Sequence, residues 1–187
     1  MLSFAFFCQK INTFHPIIRT NEMTKSLFLV RHAQAIENTG RQSDIHRILT
    51  PQGYREATRL GRKIFEMDIH PDIILASHSE RTRTTAELIA EQIKFDIQKI
   101  NFKEDLYEAS TRTLFTLIRS LNDDWNTIMI VGHNPSISYF AEYITHQEIG
   151  HVAHAGVVHL SFDLTSWSQI DEGNGNYLDY FHPEMEE

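Results

Sequence analysis

Three short apolar runs, each handing directly to a loop rich in histidine or arginine, constrain this chain more than anything else in it. Leu27-Phe28-Leu29-Val30 leads into Arg31-His32-Ala33, and Ile128-Met129-Ile130-Val131 leads into Gly132-His133-Asn134. Between them, Asp72-Ile73-Ile74-Leu75-Ala76 leads into Ser77-His78-Ser79-Glu80-Arg81. Continuous apolar runs of this length read as strands covered on both faces. If the three lie side by side and parallel, their loops meet at one edge of one sheet, where open α/β folds place their ligands. Two histidines and two arginines then share a pocket.

The rest of the chain alternates between helical and extended patterns. Thr50 is a plausible N-cap with Pro51 at the first helical position, and Tyr54, Ala57, Leu60, Ile64 and Phe65 follow at helical spacing toward an end near Met67. Arg81 to Ile93 carries Ala86, Ile89, Ala90 and Ile93 on one face, and Phe95 to Phe102 reads as a returning strand. Ser110 opens a helix bearing Leu114, Leu117, Ile118 and Leu121; Pro135 starts another through Thr145; Val157 to Phe162 reads as a final strand. This alternation predicts an α/β fold, a three-layer α/β/α sandwich around a mostly parallel, doubly wound sheet. The tail after Ser166, rich in Asp, Glu, Gly and Asn, reads as a loosely held end with some packing from Tyr177, Tyr180 and Phe181.

At 187 residues with 41% hydrophobic content, the chain suits one compact domain, expected over residues 23–187. Residues 1–22 fit neither a targeting segment nor a core pattern, and Met23-Thr24-Lys25-Ser26 just before the first strand looks like a start. They are therefore expected to be an extension from a misplaced start codon. The opening apolar stretch is too short to span a membrane. The single cysteine, Cys8, asks for no oxidising compartment, so a cytoplasmic setting is expected. A net charge of −8 leaves no basic footprint for nucleic acid. The acidity does not forbid an anionic ligand, because charges beyond a Debye length of roughly 8 Å are largely screened. A guanidinium about 4 Å from a phosphate contributes on the order of 4 kcal/mol at an effective dielectric near 20.

Four motifs, in order, resemble those of the histidine phosphatase superfamily, the phosphoglycerate mutase-like fold. Its Arg-His-Gly appears as Arg31-His32-Ala33, with Asn38 where many members carry a phosphate-contacting asparagine. Its Leu-Thr-x-x-Gly-x-x-Gln-Ala-x-x-Leu-Gly helix appears as Leu49-Thr50-Pro51-Gln52-Gly53-Tyr54-Arg55-Glu56-Ala57-Thr58-Arg59-Leu60-Gly61, with Glu56 replacing glutamine. Its Ser-Pro-x-x-Arg-Ala-x-Gln-Thr-Ala stretch appears as Ser77-His78-Ser79-Glu80-Arg81-Thr82-Arg83-Thr84-Thr85-Ala86, and its closing Gly-His as Gly132-His133. The stretch from Arg81 to His133 is nearly filled by two helices and two strands, so no large lid insertion fits, a compact layout similar to the SixA-type phosphohistidine phosphatases. His78 for proline and Thr84 for glutamine depart from the pattern at the pocket rim.

The resemblance implies a metal-independent phosphatase with no cofactor. His32 would be the nucleophile, with Arg31 and Arg81 clamping the phosphate and disfavouring the imidazolium. His133 would donate to a phosphate oxygen, while Asn38 and Asn134 are further phosphate-binding candidates. Glu108 is the candidate general acid for an ester leaving group. Ser77 could touch phosphate or cap a helix, and capping is the favoured reading. His151, His154 and His159 match no standard metal spacing and are expected at the surface or the pocket rim. The implied partner is a phosphorylated protein, such as a histidine-phosphotransfer domain, or a small phosphate ester; sugar phosphate hydrolysis and a non-catalytic phosphoprotein-binding module are the alternatives.

Overall fold

The computed structural model describes residues 24–40 and 43–183. The expectation of an extension over residues 1–22 lies outside the described residues. Six strands form one sheet: β1 (Lys25–Arg31), β2 (Ile73–Ser77), β3 (Asn101–Lys103), β4 (Thr127–Gly132), β5 (Val157–Phe162) and β6 (Asn176–Phe181). Their spatial order is β3-β2-β4-β1-β5-β6. The first four run parallel, and β5 and β6 continue the sheet antiparallel. Four helices, α1 (Pro51–Glu66), α2 (Glu80–Gln92), α3 (Thr111–Arg119) and α4 (Ser136–Thr145), complete the three layers.

Strand periodicity divides the apolar runs between two cores. Phe28, Val30, Ile74, Ala76, Met129 and Val131 face α1 and α2 with Leu60, Ile64, Ile89 and Ala90. Leu27, Leu29, Leu75, Ile128 and Ile130 face the opposite layer with Leu114, Ile118, Phe140 and Ile144. Both faces being covered explains why the strands lack polar alternation. No helix among the described residues is long and apolar enough to cross a membrane.

The helix-start chemistry is as the sequence suggests: Thr50 Oγ1 accepts from Gly53 N at 3.0 Å, and Ser110 Oγ accepts from Thr113 N at 3.1 Å. Tyr54 and Phe65, expected on the buried stripe of α1, are instead 44% exposed; its buried side is completed by Gly53, Glu56 and Gly61. The strand expected over Phe95 to Phe102 is only three residues long. Asp96 instead starts a 3₁₀ turn by accepting from Gln98 N, and pairing with β2 begins at Asn101.

The tail is the larger correction. After Ser166 the chain forms a 3₁₀ turn and strand β6, and Trp167 is fully buried in the core under α3 and α4. Its indole Nε1 donates to Trp125 O at 2.7 Å. Above it lies the buried ammonium of Lys25, which donates to Asp123 O, Trp125 O and Asn126 Oδ1. Polar composition hid one large aromatic that anchors the segment. Trp167→Ala is expected to cost about 3–5 kcal/mol, measured by urea unfolding. A loss under 1 kcal/mol would return the tail to the loosely held reading.

Candidate active site

His32 and His133 each leave the sheet one residue past a rung in which Arg31 stands opposite Gly132. Their ring centroids lie 5.3 Å apart with planes at 63°. Both line a hollow of about 510 Å³ together with Arg31, Arg47, Arg81, Tyr107, Glu108 and His154. The sequence expectation of one pocket at the carboxyl ends of three strands therefore holds geometrically.

The loop carrying His32 is tied down from three sides. His32 N donates to Gly132 O at 3.0 Å, Ala33 N to Thr85 Oγ1 at 3.1 Å, and Gln34 N to Glu56 Oε2 at 2.9 Å. The glycines of the α1 motif make this possible. A Cβ on Gly53 would stand 2.0 Å from Gln34 O, and one on Gly61 would stand 2.8 Å from Gln92 Cβ. With glycine at both, α1 can lie against the loop and against α2.

Hydrogen bonding fixes the tautomers. His32 Nδ1 lies 2.7 Å from Ala33 O, and because a carbonyl only accepts, Nδ1 carries the proton and Nε2 keeps the lone pair. Burial drives the His32 pKa from its ordinary 6.5 to about 2, with His133, Arg81 and Arg31 adding smaller repulsions. Desolvation, rather than the arginines named from the sequence, is thus the main force keeping His32 neutral. His133 falls to about 3, again through burial first and Arg81 second. Its Nδ1 faces Arg81 Nη2 at 3.5 Å and its Nε2 faces Ser77 Oγ at 3.0 Å. A guanidinium cannot accept, so the His133 proton sits on Nε2 and is donated to Ser77. Ser77 is fully buried and serves His133 rather than a helix end; the N-cap of α2 is Ser79.

Arg81 is 5% exposed and is held by Asp44, through Nη1 to Asp44 O at 2.7 Å and Nη2 to Asp44 Oδ2 at 2.8 Å. The same carboxylate accepts from Tyr107 Oη at 3.0 Å and from Arg47 Nε at 2.8 Å. Partial burial works against the Asp44 charge, but the Tyr107 hydrogen bond and the Arg81 and Arg47 charges outweigh it and hold its pKa below the usual range. Arg81 Nε and Arg31 Nε are buried donors without a protein partner.

The weaker assignments fare differently. Glu108 lines the hollow, exposed, on a residue at φ 53°. Asn38 does not reach it: the side chain is exposed and its Oδ1 accepts from Gly40 N at 2.9 Å, closing a local turn. Asn134 lines the hollow but gives its Nδ2 to Val152 O at 3.1 Å, leaving an acceptor, Oδ1, unpartnered. Asn134 keeps its second Nδ2 N–H, whereas Asn38 lies away from the hollow. His154 joins the wall and His151 lies beside it against Arg31, whereas His159 stacks on Phe28 at 4.0 Å. Arg47, Asp44 and Tyr107 went unnoticed in the sequence. They sit in or beside short 3₁₀ turns, where no periodicity marks them; the one available signal was a cation two residues before Leu49-Thr50.

Residues 27–114 match the family model described as histidine phosphatase superfamily (branch 1). Over these residues the chain is similar to that superfamily. Among curated proteins, the mitochondrial serine/threonine-protein phosphatase Pgam5 of Drosophila ananassae is 33% identical over 76 residues, covering 41% of this chain and 26% of that protein. The chain thus matches about a quarter of that relative's length. Among solved structures, a protein assigned as phosphohistidine phosphatase SixA from Nakamurella multipartitia aligns with TM-score 0.73 and 22% identity, covering 87% of this chain and 98% of that one. The protein histidine phosphatase SixA complexed with tungstate aligns with TM-score 0.73 and 17% identity, covering 84% and 97%. At these identities the likeness shows a shared fold.

The depressed histidines carry a consequence for stability. Between the unfolded pKa of about 6.5 and the folded values of about 3 and 2, the unfolded chain takes up protons that the native rings refuse. Stability is therefore lost as pH falls. Below about pH 6 each further unit is expected to cost on the order of 1.4 kcal/mol per histidine. Urea unfolding between pH 7 and pH 4.5 measures this slope, and His133→Gln should remove one histidine's share. A flat profile in the wild type would mean the rings are not desolvated.

Proposed function

We propose that this protein is a histidine phosphatase that removes phosphoryl groups through a phosphohistidine intermediate on His32, acting on phosphohistidine carried by a protein. The observation that carries the reading is the His32 ring itself: neutral, with its lone pair on Nε2, in the wall of a hollow shared with three guanidinium groups. In the first half-reaction Nε2 forms an N–P bond as the bond from phosphorus to the substrate atom breaks, and that atom leaves with the electron pair and takes a proton. Water then attacks the phosphorus of phospho-His32, the N–P pair returns to Nε2, and inorganic phosphate leaves. The guanidinium groups of Arg31, Arg47 and Arg81 in the wall of the hollow suit the equatorial oxygens, which carry the charge in the transition state. His133, its ring centroid 5.3 Å from that of His32, completes the wall around the phosphoryl group and turns its Nδ1 lone pair toward Arg81 Nη2.

Two features support a protein-borne phosphohistidine as substrate. The segment between Arg81 and His133 is consumed by α2, β3, α3 and β4, so it supplies no lid over the hollow, which leaves room for a bulky carrier among the described residues. Transfer from one imidazole to another also exchanges one N–P bond for another, and the departing nitrogen is basic enough to collect a proton from water. A histidine-phosphotransfer domain is a carrier of this kind. Glu108 in the wall favours a second reading, hydrolysis of small phosphate esters, whose alkoxide leaving groups need a positioned acid.

Labelled phosphoramidate followed by a quench is expected to leave an acid-labile, base-stable label that His32→Ala abolishes, with turnover unaffected by EDTA. Binding without label or turnover would leave only a phosphoprotein-binding module, and loss of activity restored by a divalent ion would overturn the metal-free route. For the substrate, a phosphohistidine protein is expected to outcompete a panel of sugar phosphates. Glu108→Gln separates the two readings: it should leave phosphoramidate hydrolysis within about twofold while slowing any ester hydrolysis by about 10²-fold. Strong preference for the sugar esters would replace the leading reading by the second.

A further inference from the structure

Arg31 owes its orientation to two histidines that the proposed reaction does not use. Its Nη1 donates to His151 Nε2 at 2.8 Å and to Val152 O at 2.8 Å, and its Nη2 donates to His154 Nε2 at 3.1 Å. Guanidinium nitrogens never accept, so both imidazoles present a lone pair on Nε2 and hold their proton on Nδ1. Of the five donors on Arg31, three are spent in this way. What remains is Nε, buried and without a protein partner, and one N–H of Nη2.

The segment bearing the two histidines is itself fixed relative to His32. Val152 between them is fully buried, Ala155 N donates to His32 O at 3.3 Å, Arg31 N donates to Gly156 O at 3.0 Å, and Ala153 N donates to Tyr180 Oη at 3.0 Å. His154 lies with its ring centroid 5.8 Å from that of His32 and lines the hollow, whereas His151 is exposed. We infer that His151 and His154 are positioning residues, neutral imidazole acceptors that absorb the outward donors of Arg31, fix its guanidinium plane in the wall of the hollow and leave the remaining Nη2 N–H for a phosphate oxygen. His154, the more sheltered of the two, carries the larger share. This rests on the hollow being a phosphate site, and it adds to that reading which residues aim one arm of the clamp.

Long-range ¹H–¹⁵N correlation of the wild-type histidine side chains reads the tautomers directly, and both His151 and His154 should be Nδ1–H. Inorganic phosphate at pH 8, titrated calorimetrically, reads the clamp. His154→Leu is expected to weaken phosphate binding about tenfold, and His154→Gln, whose Oε1 can accept where Nε2 does, should stay within about twofold of wild type. In an Arg31→Ala background, His154→Leu should then cost nothing further, because its effect runs through Arg31. Nε2–H tautomers, an unchanged His154→Leu affinity, failure of glutamine to rescue, or an effect that persists without Arg31 would each overturn the inference while leaving the phosphatase reading intact. Wild-type protein that binds no phosphate and accepts no label would overturn both.

Discussion

The pairing of β1 with β4 is the constraint from which the rest of the molecule follows. Because the two strands are parallel and in step, Arg31 opposite Gly132, they release His32 and His133 from the same edge at the same height. A slip of one residue would invert which side chains face each core, sending Phe28 and Val30 to the layer now filled by α3 and α4. The register that buries the apolar runs is therefore the register that sets two imidazoles 5.3 Å apart. Fold stability and site geometry are specified by the same contacts.

Where burial is complete, the sequence was readable. The three central strands carry side chains covered on both faces, so they show unbroken apolar runs, and the loops at their ends stand out by contrast. The helix motif was readable for a related reason: Gly53 and Gly61 mark where backbone must approach closer than any side chain allows. Where one or two residues do the anchoring, the pattern fails. Trp167 and Ile170 are buried within a tail whose neighbours are mostly polar, and Asp96 opens a turn where a strand was expected. Asp44 and Arg47 reach the site through a three-residue turn that has no period to detect. Ser77 was misread because a serine before a helix resembles a cap, and only the position of His133 reveals its other use.

The chain's acidity and its basic hollow are reconciled by distance and dielectric. The net charge of −8 is spread over a surface where salt screens it, whereas Arg31, Arg47 and Arg81 converge on one cavity partly closed to water. The histidines respond to that same closure. His32 is stripped of water by its own packing, so its neutrality survives whether or not the arginines are engaged elsewhere, and a nucleophile that depended on them would change basicity each time they gripped an anion.

Arg81 illustrates how the cavity presents a cation that folding has already fixed in place. It spends Nη1 on Asp44 O and Nη2 on Asp44 Oδ2 and His133 Nδ1, which leaves Nε and one N–H of Nη1 from its five donors. Asp44 holds the guanidinium plane in the wall of the hollow and leaves one Nη1 N–H unspent. Asp44 is in turn held by Tyr107 and Arg47, which keeps it ionised and in place. A free arginine would surrender on the order of 1–2 kcal/mol of side-chain entropy on gripping a ligand. Here that ordering has already been done during folding, so more of the interaction energy remains for the charge that develops on the transferring phosphoryl group.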